Sequence, residues 1–269
     1  MTAKVLIFDS GVGGFSVFQH IRQALPGLES CYLMDNQLFP YGIQADDVLI
    51  ERIVSLCDKA CQLHNIDMVV IACNTASTLA LPALRAKLNI PVIGVVPAIK
   101  TAAELSVSKH IALLATPATI NRPYIDHLIA DHAHDCQVTR IGSSDLVKLA
   151  EHYWFSNELD ETALNAILSA GLSPKADTKT IDHMVLGCTH FPIISQHISK
   201  LYPHVQLIDS GAAIARRVGV VLQEIGINKQ QLNTLSDQHT LLTTALIADQ
   251  ESFLTACRRI APYQSIDIV

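Results

Sequence analysis

Charge is scarce in this chain of 269 residues: Asp, Glu, Lys and Arg together make 16%. With hydrophobic residues at 49%, that shortage excludes a disordered chain and indicates a folded, core-rich one. Positive charge is scarcer still. Nineteen Lys and Arg stand against 25 Asp and Glu, a net charge of −6. A chain without a basic excess lacks what a phosphate backbone requires, so nucleic acid is not an expected partner. Long apolar runs are missing too. Mean hydropathy is +0.30, yet no stretch approaches the roughly 18 apolar residues that span a bilayer. At the start, Val5-Leu6-Ile7-Phe8 stops at Asp9, too short for a secretory leader, so a cytoplasmic location is expected. No CxxC pair occurs, which leaves a structural zinc site little support. The seven cysteines are odd in number and scattered. They form no disulfide framework and are expected to be reduced.

Short apolar runs alternate with amphipathic stretches, which predicts an α/β fold with largely parallel sheets. Strands are expected at 4–9, 30–35, 67–73, 91–95, 109–115, 137–141, 182–188 and 205–208. Helices are expected at 13–25, 45–64, 75–88, 98–106, 118–132, 143–152, 160–170, 192–200 and 211–224. The tail reads as strand 240–246, helix 249–259 and strand 264–268, after a polar connector at 226–238. An internal repeat is visible at a shift of 115 positions. Ile66-Asp67 falls on Ile181-Asp182, Cys73 on Cys188, Val92-Ile93 on Leu207-Ile208, and Ala98-Ile99 on Ala213-Ile214. A weaker match lays Lys4-to-Asp9 on His110-to-Ala115 and sets Ser10 against Thr116. Two related αβ lobes follow, each presenting a cysteine at the carboxyl end of a strand, the edge where open α/β sheets bind ligands.

Those cysteines carry the chemistry. Cys73 and Cys188 each end an apolar run and precede Asn74-Thr75 and Thr189-His190. A helix is expected to start after each, and a helix N-terminus favours thiolate. A single buried cysteine is ordinarily core packing; a matched pair with similar flanks is not. Phe8-Asp9-Ser10-Gly11-Val12-Gly13-Gly14 reads as a sharp strand-to-helix turn whose glycines allow close backbone approach to a ligand. A dinucleotide site is the rival reading, with Asp35 as the ribose ligand, but the third glycine is missing. Pro40-Tyr41-Gly42 is a turn, Glu151 lies near a helix end, and His190 follows Cys188 by two residues. Cys57, Cys61 and His64, and likewise His127, His132, His134 and Cys136, have no paired spacing that fixes a metal geometry. No metal site is expected. A two-lobe binding protein without chemistry, or an NAD-dependent enzyme, remain alternatives at this point.

The motifs DSGVGG (9–14), PYG (40–42), CNTAS (73–77), VVPA (95–98) and GCTHFP (187–192), in this order and spacing, closely resemble the glutamate racemases. The sister aspartate racemases resemble the chain less, usually carrying Glu where it has His190. One departure is Ile141-Gly142-Ser143-Ser144-Asp145, where many members have Cys-Pro. The resemblance implies two lobes facing across a cleft: residues 1–97 plus 212–269, and residues 98–211. It also implies a cofactor-free homodimer that interconverts L- and D-glutamate and supplies D-glutamate for peptidoglycan. By motif position Cys73 and Cys188 are the catalytic thiols. Asp9 assists Cys73, and Glu151 and His190 assist Cys188. Ser10, Tyr41, Gly42, Asn74, Thr75, Thr116, Thr119 and Thr189 match substrate-contact positions.

Overall fold

The computed structural model describes residues 3–172, 180–227, 232 and 234–269. The strands are β1 (Lys4–Asp9), β2 (Glu29–Met34), β3 (Met68–Ile71), β4 (Val92–Gly94), β5 (His110–Ala115), β6 (Gln137–Gly142), β7 (His183–Leu186), β8 (Gln206–Ile208), β9 (His239–Thr243) and β10 (Asp267–Ile268). The helices are α1 (Phe15–Ala24), α2 (Asp46–His64), α3 (Asn74–Lys87), α4 (Ile99–Leu105), α5 (Pro117–Ile120), α6 (Pro123–His132), α7 (Asp145–Ser156), α8 (Glu161–Leu172), α9 (Ser195–Leu201), α10 (Gly211–Glu224) and α11 (Gln250–Arg258). Two sheets result, ordered β10-β9-β2-β1-β3-β4 and β6-β5-β7-β8. Every strand pair in them is parallel. No helix among the described residues is long and apolar enough to cross a membrane.

The chain divides into two compact units, one of Met1–Val95 with Gly211–Val269, the other Val96–Ser210. Their central strands repeat each other in register. Lys4 faces Glu29 as His110 faces Gln137. Val5 faces Met68 as Ile111 faces His183, and Val69 faces Val92 as Met184 faces Leu207. Even the hydrogen bonds leaving the strand ends recur, Ala72 N–H to Phe8 O in one unit and Gly187 N–H to Leu114 O in the other. The sequence shift that aligns Cys73 with Cys188 therefore carries β3 and β4 together onto β7 and β8.

Continuous apolar runs make this arrangement possible. Residues Val5 to Phe8 and Met68 to Ile71 are fully buried, as parallel strands covered on both faces must be. In the first unit Leu6, Phe8, Leu33, Val69 and Ile71 pack against Leu49, Ile53, Ala60, Ala76, Ala80 and Leu84 of α2 and α3. On the other side α10 packs on α1. In the second unit Ile111, Leu113 and Val185 pack with Ile99, Ala102 and Ala103 of α4 and Ile125 of α6. The helix after β4 thus completes the second unit, and the helix after β8 completes the first.

Several expected elements differ. The single helix expected at 118–132 is broken into α5 and α6, because Arg122 before Pro123 is extended, φ −75° and ψ 136°, as a residue preceding proline tends to be. The helix expected at 192–200 opens as a 3-10 turn, Phe191–Ile194, before α9. The strands expected at 240–246 and 264–268 shorten to β9 and β10. Of the connector expected at 226–238, residues 228–231 and 233 lie outside the described residues.

Candidate active site

The candidate residues gather at strand ends in two sets, one in each unit. In the first unit β3 delivers Cys73 to the N-cap of the 14-residue helix α3, with φ −63° and ψ 120°. The first-turn N–H groups of such a helix have no intrahelical partners and carry the positive end of its dipole. Cys73 is 6% exposed, and the Ser10 hydroxyl lies 3.9 Å from its sulfur. Asp9 closes β1, paired with the strand that leads to Cys73. It is fully buried, and its Oδ1 accepts the Gly11 N–H at 3.0 Å. Asn74 and Thr75 open α3, both buried, and Asn74 Oδ1 has no hydrogen-bond partner among the described residues. A buried acceptor of this kind calls for a donor, and an ammonium group would supply one.

Of the glycines of this turn, Gly14 acts through space rather than dihedral freedom. Gly11 is extended, φ −155°, and Gly14 is helical, φ −60°. A Cβ on Gly14 would stand 2.6 Å from the Tyr32 hydroxyl and 2.7 Å from Asp9 Cβ. Gly14 therefore keeps Asp9 in place by having no side chain.

Tyr41 and Gly42 lie on a 3-10 turn, Tyr41–Ile43. The Tyr41 hydroxyl donates to Asp35 Oδ2 at 2.6 Å, so that proton is committed within the protein. Asp35 also accepts Arg52 Nε and Nη2, each at 2.7 Å, and Thr244 Oγ1 at 2.6 Å. Burial pushes its carboxyl up, but the Arg52, Thr244 and Tyr41 hydrogen bonds outweigh it and hold the carboxyl below its usual range. An aspartate with both oxygens filled this way is not available as a ribose ligand, which removes the main support for a dinucleotide site. Arg52 and Thr244 carry no motif in the sequence; only the structure brings them to Asp35.

In the second unit β7 leads to Cys188, 7% exposed. The helix expected directly after it does not start there. A four-residue 3-10 turn begins at Phe191, with Pro192 in its first turn. Cys188 has a side-chain partner instead. His190 Nδ1 lies 3.8 Å from its sulfur, and His190 Nε2 is 2.6 Å from Glu151 Oε2. Glu151 comes from α7, and the ion pair is nearly sealed, with 2% of the His190 side chain and 17% of the Glu151 side chain exposed. Burial pushes the His190 imidazole down, but the contacts with Cys188 and Glu151 outweigh it and hold the ring well above its ordinary value. Thr116 follows β5 as Ser10 follows β1, and caps α5. Its hydroxyl meets that of Thr119 at 2.9 Å and accepts the Thr119 N–H at 3.2 Å. Thr189 is buried beside Cys188.

The two thiols thus stand at corresponding strand ends with different support: a helix N-terminus at Cys73, a histidine–carboxylate pair at Cys188. The remaining cysteines do not share these settings. Burial pushes the thiol of Cys57 up, and that of Cys61 to about 11. Among the described residues, no group of three or more His, Cys, Asp or Glu is arranged to hold a metal ion.

A profile of the Asp/Glu/Hydantoin racemase family matches residues 11–218. A glutamate racemase of Shewanella pealeana is 46% identical over 92% of this chain and 91% of its own length. One from Pasteurella multocida is 43% identical over 93% of this chain and 90% of its own length. Among solved structures, Escherichia coli glutamate racemase in complex with L-glutamate and the activator UDP-MurNAc-ala superposes with a TM-score of 0.91 at 38% identity, covering 100% of this chain and 98% of that one.

Proposed function

The chain belongs to the Asp/Glu/Hydantoin racemase family, and we propose that it interconverts L- and D-glutamate by a two-thiol exchange at Cα, using Cys73 and Cys188 and no cofactor. The observation that carries this reading is the register match: two cysteines at equivalent ends of equivalent strands, each with its own polar partners.

Inversion at Cα removes a weakly acidic proton from one face and returns a proton to the other. Two groups that approach opposite faces do this without turning the intermediate over. Each needs both protonation states within reach of working pH, which suits thiols. Cys73 draws on the α3 N-terminus, with Asp9 and Ser10 beside it to guide the proton. Cys188 exchanges charge with His190, which Glu151 keeps ready as a donor. Charge that develops on the substrate carboxylate is met by hydroxyl and N–H donors of Ser10, Thr75, Thr116, Thr119, Thr189 and the Tyr41–Gly42 turn. Asn74 Oδ1 accepts a hydrogen bond from the substrate ammonium. A reaction that needs two reduced thiols supports a reducing compartment, the cytoplasm, as its location. D-Glutamate for peptidoglycan is the product's use, and a second copy of the chain is its partner.

The test is circular dichroism of purified protein with L- or D-glutamate, with aspartate for comparison and nothing else added. Loss of optical activity from both glutamate enantiomers is expected. A stable signal from both would refute the reading.

A further inference from the structure

The oxygens of Asp35 carry four hydrogen bonds, from Tyr41, twice from Arg52, and from Thr244. A carboxylate offers about four acceptor directions, so this one is full. It is also fully buried, and Arg52 grips it side-on through Nε and Nη2, the strongest form of such a pair. A carboxylate in this state has no room to exchange protons with a substrate. What it does is hold. The groups it joins come from the end of β2, from α2, from the residue after β9 and from the Tyr41 turn. Tyr41 lies in one buried cluster with Phe8 and Cys73, its ring 6.3 Å from that of Phe8. Burial and the Asp35 carboxylate keep the Tyr41 phenol protonated. It therefore stays a donor to Asp35.

We propose that Asp35 is a positioning residue of the Cys73 set: braced by Arg52 and Thr244, it fixes Tyr41 and with it the Tyr41–Gly42 turn that meets substrate. This rests on the reading above that the turn contacts glutamate. An ion pair that only stabilises the fold would, if loosened, lower the melting temperature and leave the folded enzyme's affinity alone. A brace for a binding turn acts on affinity as well.

Racemisation kinetics in both directions, taken well below each variant's melting temperature, separate the two. Arg52→Ala is expected to raise KM for both enantiomers about tenfold while kcat changes less than about threefold. Tyr41→Phe, which keeps the ring and loses the hydroxyl, should move KM the same way by about half as much on a logarithmic scale. Arg52→Lys should return KM most of the way to wild type. Should Arg52→Ala fail to fold, Tyr41→Phe decides alone. Variants with a lowered melting temperature and wild-type KM, or a loss confined to kcat, overturn the inference. An active wild type with unmoved KM in the variants overturns this inference alone. An inactive wild type overturns it together with the proposed function.

Discussion

Cys73 and Cys188 make the same demand and have different neighbours. Cys73 has the backbone donors of α3 and the Ser10 hydroxyl at 3.9 Å; Cys188 has His190 at 3.8 Å. Truncating either sulfur removes a small group, so each Cys→Ala variant should remain folded, at a stability cost of about 1 kcal/mol. Each should nonetheless lose racemisation. A folded Cys73→Ala or Cys188→Ala protein that keeps more than about a tenth of wild-type turnover would remove the two-thiol assignment. The His190–Glu151 pair gives a second check at this scale. The imidazolium of His190 is held above its ordinary value, so its contribution to stability is complete below about pH 6.5 and is lost as pH rises through the raised midpoint. Glu151→Gln takes away one of the two groups that outweigh burial. The His190 ring signals, followed by NMR, should then titrate at lower pH than in the wild type, with the stability loss beginning earlier. An unmoved midpoint would mean that Glu151 does not hold the proton on His190. The cysteines and His190 were legible in sequence because they recur at matched offsets or lie two residues apart. Asp35, Arg52 and Thr244 were not, since 209 positions separate Asp35 from Thr244 and an aspartate at a strand end reads equally well as a ribose ligand.

Among the elements, the strand-to-helix turn after β1 is the most tightly constrained. Gly14 is helical and could accept any residue by its dihedral angles, but a Cβ there would meet Tyr32 and Asp9. Tyr32 is itself fixed, stacked 4.0 Å from Phe15 and donating to Gly11 O at 2.8 Å. Gly14→Ala should therefore destabilise the protein by about 1–3 kcal/mol in urea unfolding, as overpacking does, and should lower kcat by displacing Asp9. Wild-type stability and kcat would show that the turn can yield. The glycine-rich motif pointed to this turn from sequence as a place of close backbone approach; the approach that Gly14 permits is that of Tyr32 and Asp9. The core strands were legible because buried parallel strands are uniformly apolar. Helix starts were less so: the helix expected at 118–132 ran through Pro123, where the chain breaks between α5 and α6, and nothing before Phe191 distinguished a 3-10 turn from an α-helix.

At the scale of the whole chain, the fold places one thiol at the same strand end of two sheets, in which β6-β5-β7-β8 repeats the order and register of β2-β1-β3-β4. The shift of 115 positions exposed that relation in sequence for the strand pairs that end at the cysteines, and the weaker match of Lys4-to-Asp9 with His110-to-Ala115 for the strands beside them. That α4 packs with the second unit and α10 with the first could not be read from hydrophobic pattern, because a helix following an edge strand looks the same whichever sheet it covers; the family resemblance alone implied it. If the thiol that removes the Cα proton is not the one that replaces it, the replacing thiol has already equilibrated with solvent. Racemisation of L-glutamate in D₂O, sampled early and read by mass spectrometry of the separated enantiomers, tests this directly. A two-thiol exchange gives D-glutamate deuterated at Cα from the first turnovers, while the remaining L-glutamate stays largely unlabelled. Unlabelled D-glutamate, or equal labelling of both enantiomers from the start, would contradict it.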